Sequence, residues 1–177
     1  MRGLLPLFKA IGDLKGTDRE GWKRAGVEEP ESVAEHSYRS AVMALLLGEK
    51  LDLDTCRLVK LLLIHDIPEV KTGDITPHDG LTERKKGEME REALEAMCDH
   101  LEEQDRNKIL ELWEEFETGE GEEAKIARDI DVLERVLQAV EYRAKEEHES
   151  KDLSGFIDQG GEEIETPEIE ELVRKLD

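Results

Sequence analysis

The chain has 177 residues, of which 40% are charged and 37% hydrophobic, and its net charge is −21. Such an acidic surface repels nucleic-acid phosphates and anionic membranes, and no apolar run is long enough to span a bilayer. We therefore expect neither a nucleic-acid-binding protein nor a membrane protein. The absence of a leader-like N-terminus and of paired cysteines favours a cytoplasmic location. The length predicts one domain, residues 1–177.

The first third of the chain predicts two helices joined by a loop. Apolar residues at helical spacing predict a short amphipathic helix over residues 3–14, and the glycines at positions 12–21 predict a turn or loop. Trp22 follows, and taken alone it is typical of a core anchor. Ser32 and Glu35 form a capping-box pattern that begins a helix reaching about residue 50.

A second buried helix is predicted from Thr55 to about residue 70, with Asp54 as its cap. Its apolar residues lead to the adjacent pair His65 and Asp66, and Glu69 follows one turn later. The pattern then breaks at a Gly-Asp turn that contains Asp74. A histidine and a carboxylate at the end of a buried helix are typical of a metal site.

Later segments predict further helices and no strands. Charged helices are expected over residues 82–103 and 105–116, and residues 122–147 form a helix that is apolar almost all round. We expect that helix at the centre of an all-α bundle of six or seven helices. The core is predicted to span residues 22–147, followed over 151–177 by a Gly-rich loop and a short helix that begins at Thr166 and Pro167.

Two carboxylates interrupt the apolar middle of the last long helix. Asp129 and Asp131 are two residues apart, so they point in opposite directions and cannot bind the same ion. We expect one of them at the surface or paired with Arg128 or Arg135, and the spacing alone leaves open which one that is.

These residues together predict a metal centre. His36, His65, Asp66 and one of the later aspartates can meet in a helical bundle. Imidazole and carboxylate ligands suit Mn, Fe, Co, Ni or Zn, and the lack of thiolate ligands argues against a structural zinc site. Four protein ligands leave two positions of an octahedral ion for water and substrate.

Four ordered blocks of the sequence resemble a known family. They are PESVAEH ending at His36, HDIPE at residues 65–69, GDITP at residues 73–77, and DID at residues 129–131 followed by QA-x-EY. These blocks resemble the HD-domain superfamily of metal-dependent phosphohydrolases, and within it the 5′-deoxynucleotidase family of YfbR-like and HDDC2-like proteins. The resemblance covers about residues 22–142 and continues into the C-terminal tail, and it implies that Asp131 is the last metal ligand.

The resemblance also implies an activity and further site residues. It implies hydrolysis of the 5′-phosphate of nucleoside monophosphates, preferably deoxyribonucleotides, with a divalent transition metal or Mg as cofactor and a homodimeric assembly. Glu69 and Asp74 match catalytic positions of the family, with their acid and base roles left open. Trp22 and Arg24 match its nucleotide-contacting segment. Ala25 stands where relatives commonly carry a second basic residue, so the predicted phosphate contact depends on Arg24.

Two other functions remain open at this stage. The first is an HD-type phosphohydrolase that acts on phosphodiesters or nucleoside polyphosphates. The second is a non-catalytic helical interaction module with a vestigial metal site. For the homodimer, the apolar stripes on residues 4–14 and 109–116 are the candidate contact surfaces.

Overall fold

The structure is a computed structural model that describes residues 3–145 and 151–176. These residues form the helices α1 (Leu4–Ile11), α2 (Glu20–Arg24), α3 (Val33–Lys50), α4 (Thr55–Ile64), α5 (Glu69–Thr72), α6 (Glu83–Cys98), α7 (Glu103–Thr118), α8 (Glu122–Arg143), α9 (Ser154–Glu163) and α10 (Pro167–Val173). Seven of them have eight residues or more; this set includes α9, which the sequence does not predict, and leaves out the shorter α10, which it does. Within the described ranges, the single β-type feature is an isolated bridge between Asp18 and Ser32. The all-α prediction is confirmed.

Helix α8 lies at the centre of the bundle. It packs against α3, α4, α7, α9 and α10, and its apolar side chains are buried on several faces. The main core also contains the inward face of α4, whose Leu58, Leu61 and Leu62 are fully buried. The prediction of a central, buried helix is therefore confirmed for residues 122–143, and residues 146 and 147 of the predicted helix lie outside the described residues. None of the helices described is long and apolar enough to cross a membrane.

The helix starts follow the local sequence signals. The Ser32 side chain accepts a hydrogen bond from the Glu35 N–H, and the Glu35 carboxylate accepts one from the Ser32 N–H. The Asp54 side chain accepts from the Arg57 N–H and caps α4 in the same way. These contacts satisfy N–H groups that the first turn of a helix leaves without partners.

The helix predicted from Thr55 to residue 70 ends earlier, at Ile64. Residues 65–68 form a turn instead, and α5 follows as a separate short helix. Pro68 is the physical reason, because it has no N–H to donate to the Ile64 carbonyl and so cannot continue the ladder. His65 and Asp66 lie in this turn.

The Gly-rich loop predicted after residue 151 is wrong, because residues 154–163 form α9. A side chain at Gly160 would place its Cβ 2.3 Å from Val136 Cγ2, so the glycine allows α9 to cross α8 closely. Leu153, Ile164 and Ile169 from this segment are buried, which extends the core beyond the predicted 22–147.

Two other predicted boundaries also differ. The helix expected over 82–103 ends at Cys98, and α7 begins at Glu103 rather than at residue 105. The loop expected over residues 12–21 contains a 3₁₀ turn over Gly12–Gly16, and α2 begins at Glu20.

Candidate metal centre

The structure brings the four predicted ligands together from three parts of the chain. α3 carries His36, the turn after α4 carries His65 and Asp66, and α8 carries Asp131. The His36 Nε2 lies 2.9 Å from Asp131 Oδ1 and 3.6 Å from Asp66 Oδ2. The His65 Nε2 lies 3.1 Å from Asp66 Oδ2 and 3.8 Å from Asp131 Oδ1. Both imidazoles are buried, and the carboxylates reach them from the cavity side.

The two histidines are held in the orientation that a metal ligand needs. The Nδ1 of His65 hydrogen-bonds the Leu62 carbonyl oxygen at 2.8 Å, and the Nδ1 of His36 hydrogen-bonds the Glu134 carboxylate. Both Nε2 atoms and Asp66 Oδ2 are buried and lack a hydrogen-bond partner among the residues that the structure describes. Ligand atoms of His36, His65 and Asp131 lie within 4.8 Å of one another. This donor set fits a divalent cation.

The electrostatics of the cluster also favour a cation. Burial lowers the pKa of His65, but the carboxylates of Asp66 and Asp131 outweigh it and raise that pKa well above its ordinary value. Burial raises the pKa of Asp131, but the imidazoles of His36 and His65 beside it hold that pKa well below its usual range. The two carboxylates therefore favour a positive charge at this point of the cavity, which a divalent ion would supply.

The two aspartates of α8 have different partners. Asp131 faces the histidines, whereas Asp129 is buried on another side and accepts hydrogen bonds from the backbone N–H groups of Glu165 and Thr166 at 3.2 and 2.8 Å. The expectation that one of the two is exposed or paired with Arg128 or Arg135 is wrong. The backbone of the C-terminal segment compensates the charge of Asp129 instead.

Glu69 and Asp74 both line the cavity beside the metal cluster. Glu69 is 4% exposed, and its Oε2 has no hydrogen-bond partner within residues 3–145 and 151–176. Burial, together with the charges of Asp66 and Asp74, raises the pKa of Glu69 well above its ordinary value. Asp74 accepts a hydrogen bond from the Glu20 N–H at the start of α2.

Arg19 is a site residue that the sequence patterns did not single out. Its Nη1 lies 3.6 Å from Asp66 Oδ2 and 3.8 Å from Asp74 Oδ1, and it lines the cavity. Burial lowers the pKa of Arg19, but the charges of Asp74, Asp66 and the other carboxylates nearby raise that pKa by more, so the guanidinium is always charged. The sequence offers only a weak indication of this role, which is that Arg19 is a basic residue one helical turn before Trp22.

The predicted nucleotide-contacting residues have other partners in the structure. Trp22 is 1% exposed, packs on the Phe156 ring at a centroid distance of 4.3 Å, and donates from Nε1 to Glu31. With so little exposed surface, the indole contributes only a small part of the cavity wall. Arg24 lies at the rim and forms an ion pair with Asp79 at 2.5 Å.

The cavity beside the metal cluster has a volume of about 680 Å³. Arg19, Glu69 and Asp74 lie along it near the cluster, and other walls come from α6, α7 and α9 through residues that include Lys86, Glu90, Glu117, Phe156 and Gln159. A phosphate group fills only a small part of this volume, so the cavity has room for a larger organic molecule.

Comparisons with known proteins agree with this geometry. The profile of the HD domain family matches residues 11–172. A protein from Mus musculus named 5′-deoxynucleotidase HDDC2 is 40% identical over 176 residues, which cover 99% of this chain and 87% of the relative. A conserved hypothetical protein from Pyrococcus furiosus superposes with a TM-score of 0.77 at 31% identity, covering 96% of both chains.

A predicted metal-dependent phosphohydrolase from Magnetospirillum magnetotacticum superposes with a TM-score of 0.78 at 27% identity, covering 99% of this chain and 89% of that one. The family profile spans most of the chain, and the alignment with the mouse relative covers 99% of the chain. The chain therefore belongs to the HD domain family.

Proposed function

We propose that the chain is a metal-dependent 5′-nucleotidase that hydrolyses (deoxy)nucleoside 5′-monophosphates to nucleoside and phosphate. The observation that carries the proposal is the cluster of His36, His65, Asp66 and Asp131, with Arg19 beside it. Neither histidine Nε2 in this cluster has a hydrogen-bond partner among the described residues. The cavity next to the cluster has room for a nucleoside. The name of the mouse relative, 5′-deoxynucleotidase, supports the same substrate class.

The four ligand residues would hold a divalent ion. When bound, such an ion lowers the pKa of a coordinated water and neutralises charge on the phosphoryl group. Co, Mn, Zn, Ni and Fe suit the mixed imidazole and carboxylate set, and Mg is also admissible. Glu69 is then the residue to accept or hold the proton of the attacking water at its Oε2, which is buried beside the cluster.

Arg19 is the phosphate-binding residue of this proposal. Its guanidinium is always charged, lies near Asp66 and opens onto the cavity, so it can donate two hydrogen bonds to phosphate oxygens. Asp74 lies within 3.8 Å of Arg19 and holds the first N–H of α2. We assign to Asp74 the role of orienting Arg19. Arg24 would contact the substrate at the rim of the cavity, where Asp79 competes for its guanidinium.

Acidic residues of the cavity wall bear on the choice between substrate classes. Glu90 and Glu117 line the cavity together with Lys86, whose Nζ lies 3.6 Å from Glu90 Oε1. A chain of two or three phosphates would meet these carboxylates, whereas the sugar and base of a monophosphate carry no charge. The wall therefore favours monophosphates over nucleoside polyphosphates.

A substrate panel tests the proposal. The protein is stripped of metal, reloaded with Co, Mn, Zn or Mg, and assayed for phosphate release from dAMP, AMP, dCMP, a phosphodiester and dATP, with His65→Ala as the blank. We expect release from the monophosphates only, faster for deoxyribonucleotides, and none from the blank. Turnover of the diester or of dATP with no release from any monophosphate would refute the proposed substrate class.

We also propose a homodimer, with a contact surface that differs from the predicted one. Of the two predicted stripes, that on residues 109–116 is largely internal, because Leu112, Trp113 and Phe116 are buried. In the stripe on residues 4–14, Leu5 and Phe8 are exposed. A larger exposed apolar face lies on α3, where residues spaced by three and four positions share one side: Tyr38, Val42, Leu45 and Leu46.

Light scattering tests this assembly. The wild type should have twice the mass of the chain, and Leu46→Lys should shift it to a monomer. Leu172→Lys, which changes an exposed leucine on α10, is the control and should remain dimeric. A monomeric wild type, or a Leu46→Lys variant that stays dimeric, contradicts the proposal for this face.

A further inference from the structure

A carboxylate lies behind the metal cluster, on the side of His36 away from Asp131. Glu134 is fully buried, and its Oε2 hydrogen-bonds the Nδ1 of His36. The two residues are 98 positions apart in sequence, so the contact depends on the packing of α3 against α8. An ionised carboxylate at such depth is costly unless a cation or hydrogen-bond donors compensate it.

Arg39 provides this compensation. Its Nε donates to Glu134 Oε1 at 2.7 Å, and its Nη2 lies 2.6 Å from the same oxygen. The guanidinium is itself fixed by Gln138 Oε1 at 2.5 Å and by Glu141 Oε2 at 2.8 Å. Both oxygens of Glu134 thus have partners, and the position of its carboxylate is determined from two sides.

The register of the two helices produces this arrangement. His36 and Arg39 are three residues apart on α3, and Asp131 and Glu134 are three residues apart on α8. Residues at this spacing lie one above the other on one helix face. One turn of contact between the helices therefore pairs His36 with Asp131 on the cavity side, and the next turn pairs Arg39 with Glu134.

The same region contains a group that resembles a second metal site. Ligand atoms of Glu31, His36 and Glu134 lie within 4.8 Å of one another. However, Glu31 accepts a hydrogen bond from Trp22 Nε1, and Arg39 Nη2 lies 3.9 Å from Glu31 Oε2. The guanidinium already supplies the positive charge that a metal would supply, so this group is a hydrogen-bond network rather than an ion site.

We infer that Glu134, supported by Arg39, is a positioning residue for the metal ligand His36. By accepting from Nδ1–H, the carboxylate fixes the tautomer whose Nε2 lone pair points at the cluster, and it makes the imidazole a stronger donor to a cation. Partners of this kind are worth about 10- to 100-fold in metal affinity. The inference depends on the proposed metal centre, but not on which phosphate ester is the substrate.

Titration with Co²⁺ alone tests the inference without any assay of turnover. Dissociation constants and visible absorption spectra are compared for the wild type, Glu134→Gln and Arg39→Met. We expect Glu134→Gln to bind Co²⁺ about 10- to 100-fold more weakly with an altered spectrum, and Arg39→Met to show a smaller loss. Glu134→Asp, which keeps the charge, should recover part of the affinity.

Glu141→Gln is the matched control, since it removes another partner of Arg39 but does not contact His36. It should bind Co²⁺ within about twofold of the wild type. Circular dichroism and urea unfolding of the metal-free variants separate a loss of ligand positioning from a loss of folding. If Glu134→Gln does not fold, the comparison of Arg39→Met with Glu141→Gln decides the question.

Wild-type affinity and spectrum in folded Glu134→Gln, or equal losses in Arg39→Met and Glu141→Gln, would overturn the inference. Failure of the proposed function would give a different result. The wild type would bind Co²⁺ and Glu134→Gln would bind it more weakly, as inferred, but no monophosphate would be hydrolysed.

Discussion

Removing the Asp129 carboxylate should destabilise the protein without disturbing the metal centre. Asp129 is 5% exposed and accepts two backbone hydrogen bonds, from Glu165 and Thr166, that tie the C-terminal segment to α8. Asp131, two residues further along the same helix, faces the histidines instead. Asp129→Ala and Asp131→Ala are therefore a matched pair that separates the structural carboxylate from the one proposed to bind the metal.

The magnitude follows from the two lost hydrogen bonds. A hydrogen bond to a charged group contributes about 1.5–3 kcal/mol, and some of the loss is recovered when water reaches the freed N–H groups. We expect Asp129→Ala to lower the free energy of unfolding by about 2–4 kcal/mol. For a chain of this size, that corresponds to a Tm lower by about 5–15 °C.

Urea unfolding of the metal-free proteins gives the stability, and Co²⁺ titration gives the metal affinity. Asp129→Ala should lose stability and keep the wild-type affinity for Co²⁺, whereas Asp131→Ala should lose Co²⁺ binding. The reasoning is refuted if Asp129→Ala unfolds at the wild-type urea midpoint. It is equally refuted if Asp129→Ala loses the metal as Asp131→Ala does.

Three further predictions concern the cavity and the packing. Arg19→Ala should raise the KM for a nucleoside monophosphate about 10- to 100-fold at unchanged metal content, because the phosphate loses a charged donor; an unchanged KM would contradict this. Burial raises the pKa of Glu90 to about 7. Protonated Glu90 contributes its full stability below the pKa that the residue has in the unfolded chain. That stability is therefore lost as the pH rises through 7. Glu90→Gln should stabilise the metal-free protein by about 1–3 kcal/mol at pH 8 and little at pH 4, and equal urea midpoints of variant and wild type at pH 8 would refute the assignment. Gly160→Ala should cost about 1–3 kcal/mol because its Cβ would overlap the Val136 side chain. Gly161→Ala should cost less, because its Cβ would lie 3.9 Å from its nearest neighbour, Val173 Cγ1; thermal unfolding compares the two variants.

Much of the fold follows from local signals in the sequence. Ser32 and Asp54 mark the starts of α3 and α4, and the apolar residues of α8 place it at the centre, because caps and periodicity act within a few residues. The four predicted ligands are also together in the structure, as the ordered blocks implied. The spacing alone could not choose between Asp129 and Asp131, and the packing of α8 separates them.

The features that the sequence did not predict depend on distant contacts. Gly160 is unfavourable in an isolated helix, and its value appears only where α9 crosses α8. Arg19 and Glu134 look like ordinary surface charges in the sequence, and their roles depend on partners more than 40 residues away. Periodicity carries no information about such pairs.

The most direct test of the account is a parallel titration of metal content and phosphate release from dAMP. Metal-free protein receives Co²⁺ in steps, and His36→Ala, His65→Ala, Asp66→Ala and Asp131→Ala are treated in the same way. We expect release to rise with bound metal and to saturate at one ion per chain, with all four variants defective in both measurements. Release from the metal-free protein, or a wild-type titration in any of the four variants, would contradict the account.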